Sequence, residues 1–121
     1  MKKISDAELE VMKIIWEKGE VTSLEIINEL KDFKWNDNTV RTLINRLIAK
    51  KAVKVSDKSS KAYTYTALVN EEDYRNNRSD NFIRQFFHGS LNEMMLNFVD
   101  RNELTQDELI YLKDKIDKKI K

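Results

Sequence analysis

Residues 38–48 read Asn38-Thr39-Val40-Arg41-Thr42-Leu43-Ile44-Asn45-Arg46-Leu47-Ile48, and they describe two faces of one helix. Val40, Leu43, Ile44 and Leu47 recur at i, i+3, i+4 and i+7, the stripe of a helix packed on a core. The opposite side carries Asn38, Arg41, Thr42 and Asn45, with Thr39 and Arg46 at its margins, and it holds no acid. A guanidinium matches the O6/N7 edge of guanine, an amide matches N6/N7 of adenine, and threonine suits a phosphate oxygen or a thymine methyl. A solvated helix face ordinarily mixes Glu with Lys. This one predicts a helix that lies in the major groove of DNA.

The surrounding charge agrees. The chain has 121 residues and a net charge of only +1, so a DNA-binding reading rests on where the charges lie. Residues 36–66 hold Arg41, Arg46, Lys50, Lys51, Lys54, Lys58 and Lys61 against Asp37 and Asp57, a local balance of +5 that leaves the remainder at −4. Such a concentration is the electrostatic footprint of a phosphate-facing surface; a cluster of merely solvated lysines is the plainer alternative.

Composition excludes several other classes. Without cysteine there are no disulfides, thiolate metal sites or cysteine nucleophiles, and a reducing cytoplasm fits. No apolar run approaches the roughly 18 residues of a membrane span, and Met1-Lys2-Lys3-Ile4-Ser5 does not open a signal peptide. His88 is the lone histidine and sits beside Gly89 at an expected helix end, where an imidazolium suits the dipole. With no nucleophile–base spacing and no glycine-rich phosphate loop, no enzyme, cofactor or metal is expected.

The absence of proline and the presence of only two glycines predict a mostly helical protein. Ser5-Asp6-Ala7-Glu8, Thr22-Ser23-Leu24-Glu25, Ser90-Leu91-Asn92-Glu93 and Thr105-Gln106-Asp107-Glu108 each have the form of a capping box. Asn36 or Asp37 caps the motif helix, Asn70 caps another, and Gly19 and Gly89 stand where helices should stop. The expected helices cover about 6–18, 23–32 and 37–50. The first buries Leu9, Val11, Met12, Ile15 and Trp16; the second buries Leu24, Ile27 and Leu30. Then the period changes to two. Val53-Lys54-Val55 and Tyr63-Thr64-Tyr65-Thr66 alternate around the polar run Ser56–Lys61, a hairpin with a basic tip. Tyr63 and Tyr65 are expected to pack, as are Trp16 and Trp35, since duplex DNA offers no free base face to stack on.

Three helices followed by a hairpin is the order of a winged helix-turn-helix. The expected fold class is mainly α with a small β-hairpin, arranged as a winged helix-turn-helix domain over residues 1–70 and a C-terminal helical dimerisation region over 71–121. That second region has three amphipathic stretches. Tyr74, Phe82, Ile83, Phe86 and Phe87 mark one; Leu91, Met94, Met95, Phe98 and Val99 the next; Leu109, Leu112, Ile116 and Ile120 the last. Some fifty residues cannot bury these stripes well among themselves, but two copies could. The dimer contacts are expected from Phe82, Phe86, Leu91, Met94, Met95, Phe98, Val99, Leu109, Leu112 and Ile116. A helical cap folded back on its own winged domain is the alternative.

With these residues in view, the chain resembles the BlaI/MecI family of penicillinase and methicillin-resistance repressors, essentially end to end. Ile4-Ser5-Asp6-Ala7-Glu8-Leu9-Glu10-Val11-Met12 with Ile14-Ile15-Trp16 looks like that family's opening, and Thr39–Leu47 looks like its recognition helix. Tyr63-Thr64-Tyr65 with Leu68 is similar to its wing strand, and Leu96-Asn97-Phe98-Val99 to the segment around its proteolytic site. The resemblance implies a homodimer on a palindromic double-stranded DNA operator that blocks transcription in the cytoplasm. It also implies relief by cleavage of the Asn97–Phe98 bond, triggered through a membrane β-lactam sensor-protease pathway. It places Thr39, Arg41, Thr42 and Arg46 among the DNA contacts. Asn38 stands where relatives often carry Lys, and Ala52 replaces a frequent glycine before the wing. A sister branch senses copper through C-terminal cysteines that this chain lacks, and Cu(I) needs soft ligands; Met94 and Met95 read as packing residues.

The expected DNA-binding set is therefore Asn38, Thr39, Arg41, Thr42, Asn45, Arg46, Lys50, Lys54, Lys58 and Lys61. Arg41 is expected on a base and Arg46 on phosphate. Two rival readings stay open: a winged helix used only for protein–protein contact, and a ligand-sensing repressor of another winged family.

Overall fold

A computed structural model describes residues 3–59 and 61–120. Met1, Lys2, Lys121 and the wing-tip residue Ser60 lie outside the described residues. The chain forms two compact units, Met1–Tyr74 and Arg75–Lys121.

In the first unit, α1 (Asp6–Lys18) begins at Ser5, whose hydroxyl accepts from the Glu8 amide while the Glu8 carboxylate accepts from the Ser5 amide, a complete capping box. It ends at Gly19, which takes a φ of 81° and donates its amide to the Ile15 carbonyl. The turn feeds a short strand, β1 (Glu20–Thr22), and Thr22 then caps α2 (Ser23–Glu29) with a second full box. A 3₁₀ turn over Lys31–Phe33 leads to α3 (Asp37–Ala49), capped by the Asn36 amide oxygen, which accepts from the Thr39 amide at 2.8 Å. Strands β2 (Val53–Asp57) and β3 (Thr64–Ala67) complete the unit.

Two expectations are corrected here. The expected hairpin forms from β2 and β3, but β1 adds to it as an unexpected third strand, giving an antiparallel sheet in the order β1-β3-β2. Val21 faces Tyr65, and Tyr65 faces Val55, so one row of apolar side chains crosses the sheet on its core side. A three-residue strand is too short to show an alternation, and for that reason β1 escaped the sequence reading. The second helix also stops at Glu29, three residues early. Its core face is Ile26, with Leu30 buried beyond its end, whereas Leu24 is 57 % exposed. Position 24 lies in the first helical turn, two residues from Ile26 and therefore on another side of the helix.

The core joins α1 (Val11, Met12, Ile14, Ile15), α2 (Ile26), α3 (Val40, Leu43, Ile44, Leu47) and the sheet (Val21, Val53). Each such side chain contributes about 1.5–3 kcal/mol on burial. Trp16 and Trp35 pack against the core from its edge. The Trp16 indole donates to the Val69 carbonyl at 2.8 Å, and its ring lies 5.7 Å from that of Tyr74. Tyr65 packs as expected, but Tyr63 precedes β3 and stays exposed.

Helix α4 (Glu71–Phe87) starts at Asn70, whose side chain accepts from the Asp73 amide. The first compact unit runs to Tyr74, whose buried ring lies 5.7 Å from that of Trp16. The second unit contains the rest of α4, α5 (Leu91–Asp100) and α6 (Gln106–Lys119). Thr105 forms a full capping box with Glu108. Ser90 accepts from the Glu93 amide, as a cap should.

Candidate nucleic-acid interface

The helix that carries the motif separates its two faces cleanly. Val40, Leu43, Ile44 and Leu47 are buried, while Asn38, Thr39, Arg41, Thr42, Asn45 and Arg46 are all exposed. Among the described residues no carboxylate pairs with Arg41 or Arg46. Both guanidiniums therefore keep their donors available for a ligand.

The two threonines differ from the guanidiniums. The Thr39 hydroxyl donates to the Asn36 side-chain oxygen at 3.1 Å, and the Thr42 hydroxyl donates to the Asn38 carbonyl at 2.9 Å. With those protons committed inside the helix, the groups left for DNA are the methyls and the oxygen lone pairs. That favours contact with a thymine methyl over donation to phosphate.

The helix ends in a Schellman motif. The Lys51 amide donates to the Ile48 carbonyl and the Ala52 amide to the Leu47 carbonyl. Lys51 takes the left-handed conformation at φ 64°, and Ala52 is fully buried behind it. The turn before the wing is thus made by Lys51, and the residue in the frequent glycine position serves the core.

In the hairpin, Lys58 and Lys61 are exposed on either side of the tip. The Asp57 carboxylate accepts from the Ser59 hydroxyl at 2.6 Å and the Ser59 amide at 2.8 Å. These bonds, the hydroxyl's first, hold its carboxyl below the usual aspartate range. The one acid of the tip is therefore engaged by the turn itself. Across the strands the Ser56 and Thr64 hydroxyls bond at 2.8 Å.

Lys54 is exposed and Lys50 half-buried. Lys54 pairs with Thr66, and Thr66 pairs with Glu20, which places an acid on the same sheet face as Lys54. Lys50, expected on DNA, holds an ion pair with the Glu8 carboxylate, and its ammonium also donates to the Lys3 carbonyl at 2.7 Å. Glu8 is the residue that sequence reasoning missed: it is 1 % exposed, the sole charged residue buried among the described residues. Its role in the capping box was legible, but its partner 42 positions away was not.

In the second unit the expected dimer residues are presented rather than packed away. Phe82, Phe86, Leu91, Met95, Val99, Leu109 and Ile116 are exposed, and Met94, Phe98 and Leu112 half-buried. Met95, Phe98, Val99, Leu104 and Leu112 line an open apolar hollow of about 410 Å³. The Asn97–Phe98 bond lies in the last turn of α5. The Asn97 carbonyl accepts from the Arg101 amide, the Phe98 carbonyl from the Glu103 amide, and the Arg101 guanidinium lies 5.9 Å from the centre of the Phe98 ring.

A winged helix-turn-helix whose third helix carries, beyond Asp37 in its first turn, an outer face of guanidinium, amide and hydroxyl groups, together with a basic hairpin tip, is the class of protein these features define. Residues 4–118 match the family model of the penicillinase repressor, and the chain belongs to that family. It is 41 % identical to the penicillinase repressor of Bacillus licheniformis over 107 residues, covering 88 % of this chain and 83 % of that one. It is 42 % identical to the methicillin resistance regulatory protein MecI of Staphylococcus aureus strain N315 over 117 residues, covering 96 % and 94 %. Among solved structures it is similar to the monomeric form of Bacillus licheniformis BlaI in complex with the blaP half-operator. That likeness has a TM-score of 0.51 and 42 % identity, over 61 % of this chain and 94 % of the other. These two relatives are a repressor and a regulatory protein. Among the described residues no helix is long and apolar enough to cross a membrane.

Proposed function

We propose that this protein is a sequence-specific DNA-binding transcriptional repressor that works as a homodimer on a palindromic operator in the cytoplasm. The observation that carries the reading is the α3 surface. Arg41, Asn45 and Arg46 are exposed, and among the described residues neither guanidinium is held in an ion pair, in a domain 42 % identical to one solved on a half-operator. In this reading α3 enters the major groove, with Asn38, Thr39, Arg41, Thr42 and Asn45 toward the bases. Arg46, Lys58 and Lys61 take phosphates, and Lys54 contributes only long-range charge. Lys50 is left out of the contact set.

One α3 helix reads about four base pairs and binds weakly alone. Two of them, held roughly 34–36 Å apart, reach successive major-groove faces. Pairing makes the second contact intramolecular and raises effective affinity by about 10²–10⁴-fold. The exposed stripe of α5 and α6 supports a second copy of this chain as the partner, since contiguous apolar surface of this kind marks an interface. Cutting the Asn97–Phe98 bond would separate α6 from most of α5 and dissolve the pairing, and a membrane β-lactam sensor-protease pathway is the proposed trigger. Only the last turn of α5 has to open for the bond to enter a protease.

The reading is tested on the full chain by sedimentation and by mobility shift with a palindromic operator duplex at a fixed salt concentration. The expected result is a dimer that Met95→Asp converts to a monomer with operator affinity reduced at least about 100-fold. A wild-type monomer that binds the duplex undiminished would overturn the dimeric mechanism.

A further inference from the structure

We propose that Glu8 and Lys50 are positioning residues for DNA reading: the ion pair between them fixes the end of α3 and thereby the register of its outer face in the groove. The proposal rests on the DNA-binding reading above and adds two residues, neither of which touches DNA.

Lys50 is the C-cap residue of α3. Its ammonium reaches back to the amino-terminal end of α1 and donates to both the Glu8 carboxylate and the Lys3 carbonyl. The same carboxylate oxygen, Oε1, accepts from the Ser5 amide at 2.7 Å. One buried oxygen thus joins the start of the first helix to the finish of the third. Beside it, Val11 and Ile15 of α1 and Ile44 and Leu47 of α3 belong to one buried apolar cluster. Apolar contact is non-directional and sets how close two helices lie. A charge-assisted hydrogen bond is directional and sets where one end sits. Buried ion pairs contribute little net stability relative to apolar replacements, and their best-supported use is to select one arrangement. A reading helix needs such selection, because its side chains must meet base edges to within about half an ångström.

Three explanations for Lys50 can be separated: a phosphate contact, a support of stability alone, and a positioning group. The full-length chain and its variants Lys50→Met and Glu8→Gln are titrated onto a blaP half-operator duplex and a random duplex of equal length, across a range of salt. Thermal melting establishes that each is folded. The expected result is a specificity ratio about tenfold lower in both variants, with the salt dependence of Lys50→Met unchanged. Glu8→Gln is the sharper arm. Removing a negative charge strengthens attraction to any duplex, so a loss confined to the half-operator has a geometric origin. If a single variant fails to fold, the double variant Glu8→Gln/Lys50→Met, which leaves no charge unpaired, carries the same expectation.

Folded variants that keep the wild-type ratio would overturn the proposal, as would a salt slope lowered by about one in Lys50→Met, which would make Lys50 a phosphate contact. A wild-type chain that prefers neither duplex would instead remove the DNA-binding reading, and the proposal with it.

Discussion

The Thr42 hydroxyl donates to the Asn38 carbonyl one helical turn back, at 2.9 Å, so its proton is not available to a phosphate. The methyl, favoured over the remaining oxygen lone pairs, is then the expected reading group. Thr42→Val keeps a methyl and removes the hydroxyl, and it is expected to hold operator affinity within about threefold. Thr42→Ser keeps the hydroxyl and is expected to lose about 1 kcal/mol at one A·T pair. Fluorescence anisotropy with single-base-pair variants of the duplex compares the two; a larger loss in Thr42→Val would restore the hydroxyl as the reading group.

Lys58 sits at the exposed wing tip, where Asp57 is already engaged by Ser59. Lys58→Ala is expected to weaken specific and random duplexes alike and to lower the slope of log K against log salt by about one. A salt titration with an unchanged slope would take Lys58 off the phosphate.

The left-handed residue that ends α3 is Lys51, at φ 64°. A side chain in this conformation costs about 1–2 kcal/mol, against about 0.5–1 kcal/mol of extra chain entropy for glycine. Lys51→Gly is therefore expected to raise stability by about 0.5–1 kcal/mol in urea unfolding. A loss of stability would mean that the Lys51 side chain makes a contribution beyond its backbone.

How much of this was legible beforehand depended on the distance over which each feature is encoded. The faces of α3, the caps at Ser5, Thr22 and Thr105, and the basic hairpin are written within windows of four to fourteen residues, and periodicity or capping chemistry reads them directly. Strand β1 has three residues and owes its existence to pairing with β3, more than forty positions later. Leu24 obeyed the apolar pattern yet stays exposed, because α2 turns a different side toward the core. Lys50 looked like one more cation in a basic run. Its partner is a glutamate read only as half of a capping box, and nothing local distinguishes an engaged lysine from a free one.

Glu8 also predicts a pH dependence. Burial alone raises its carboxyl, but the Lys50 ammonium and the Ser5 amide and hydroxyl outweigh that and hold it below the ordinary value of 4.5. A carboxyl lowered by folding contributes stability that is fully present above the unfolded value and is lost as pH falls through the folded value. Wild-type stability is expected to decline below about pH 4.5 more steeply than that of Glu8→Gln, which cannot titrate there. Urea unfolding between pH 3 and 7 follows both proteins. Parallel curves would show that Glu8 is not held in its charged form by the fold.

The central claim is that the exposed face of α3 reads bases, and Arg41 is its clearest test. Arg41 and Arg41→Ala chains are titrated onto the blaP half-operator duplex and a random duplex at one salt concentration. The expected result is a loss of about 1–3 kcal/mol on the half-operator, relaxed discrimination at one base pair, and a much smaller loss on the random duplex. Equal losses on both duplexes would contradict it and leave Arg41 as one more phosphate contact.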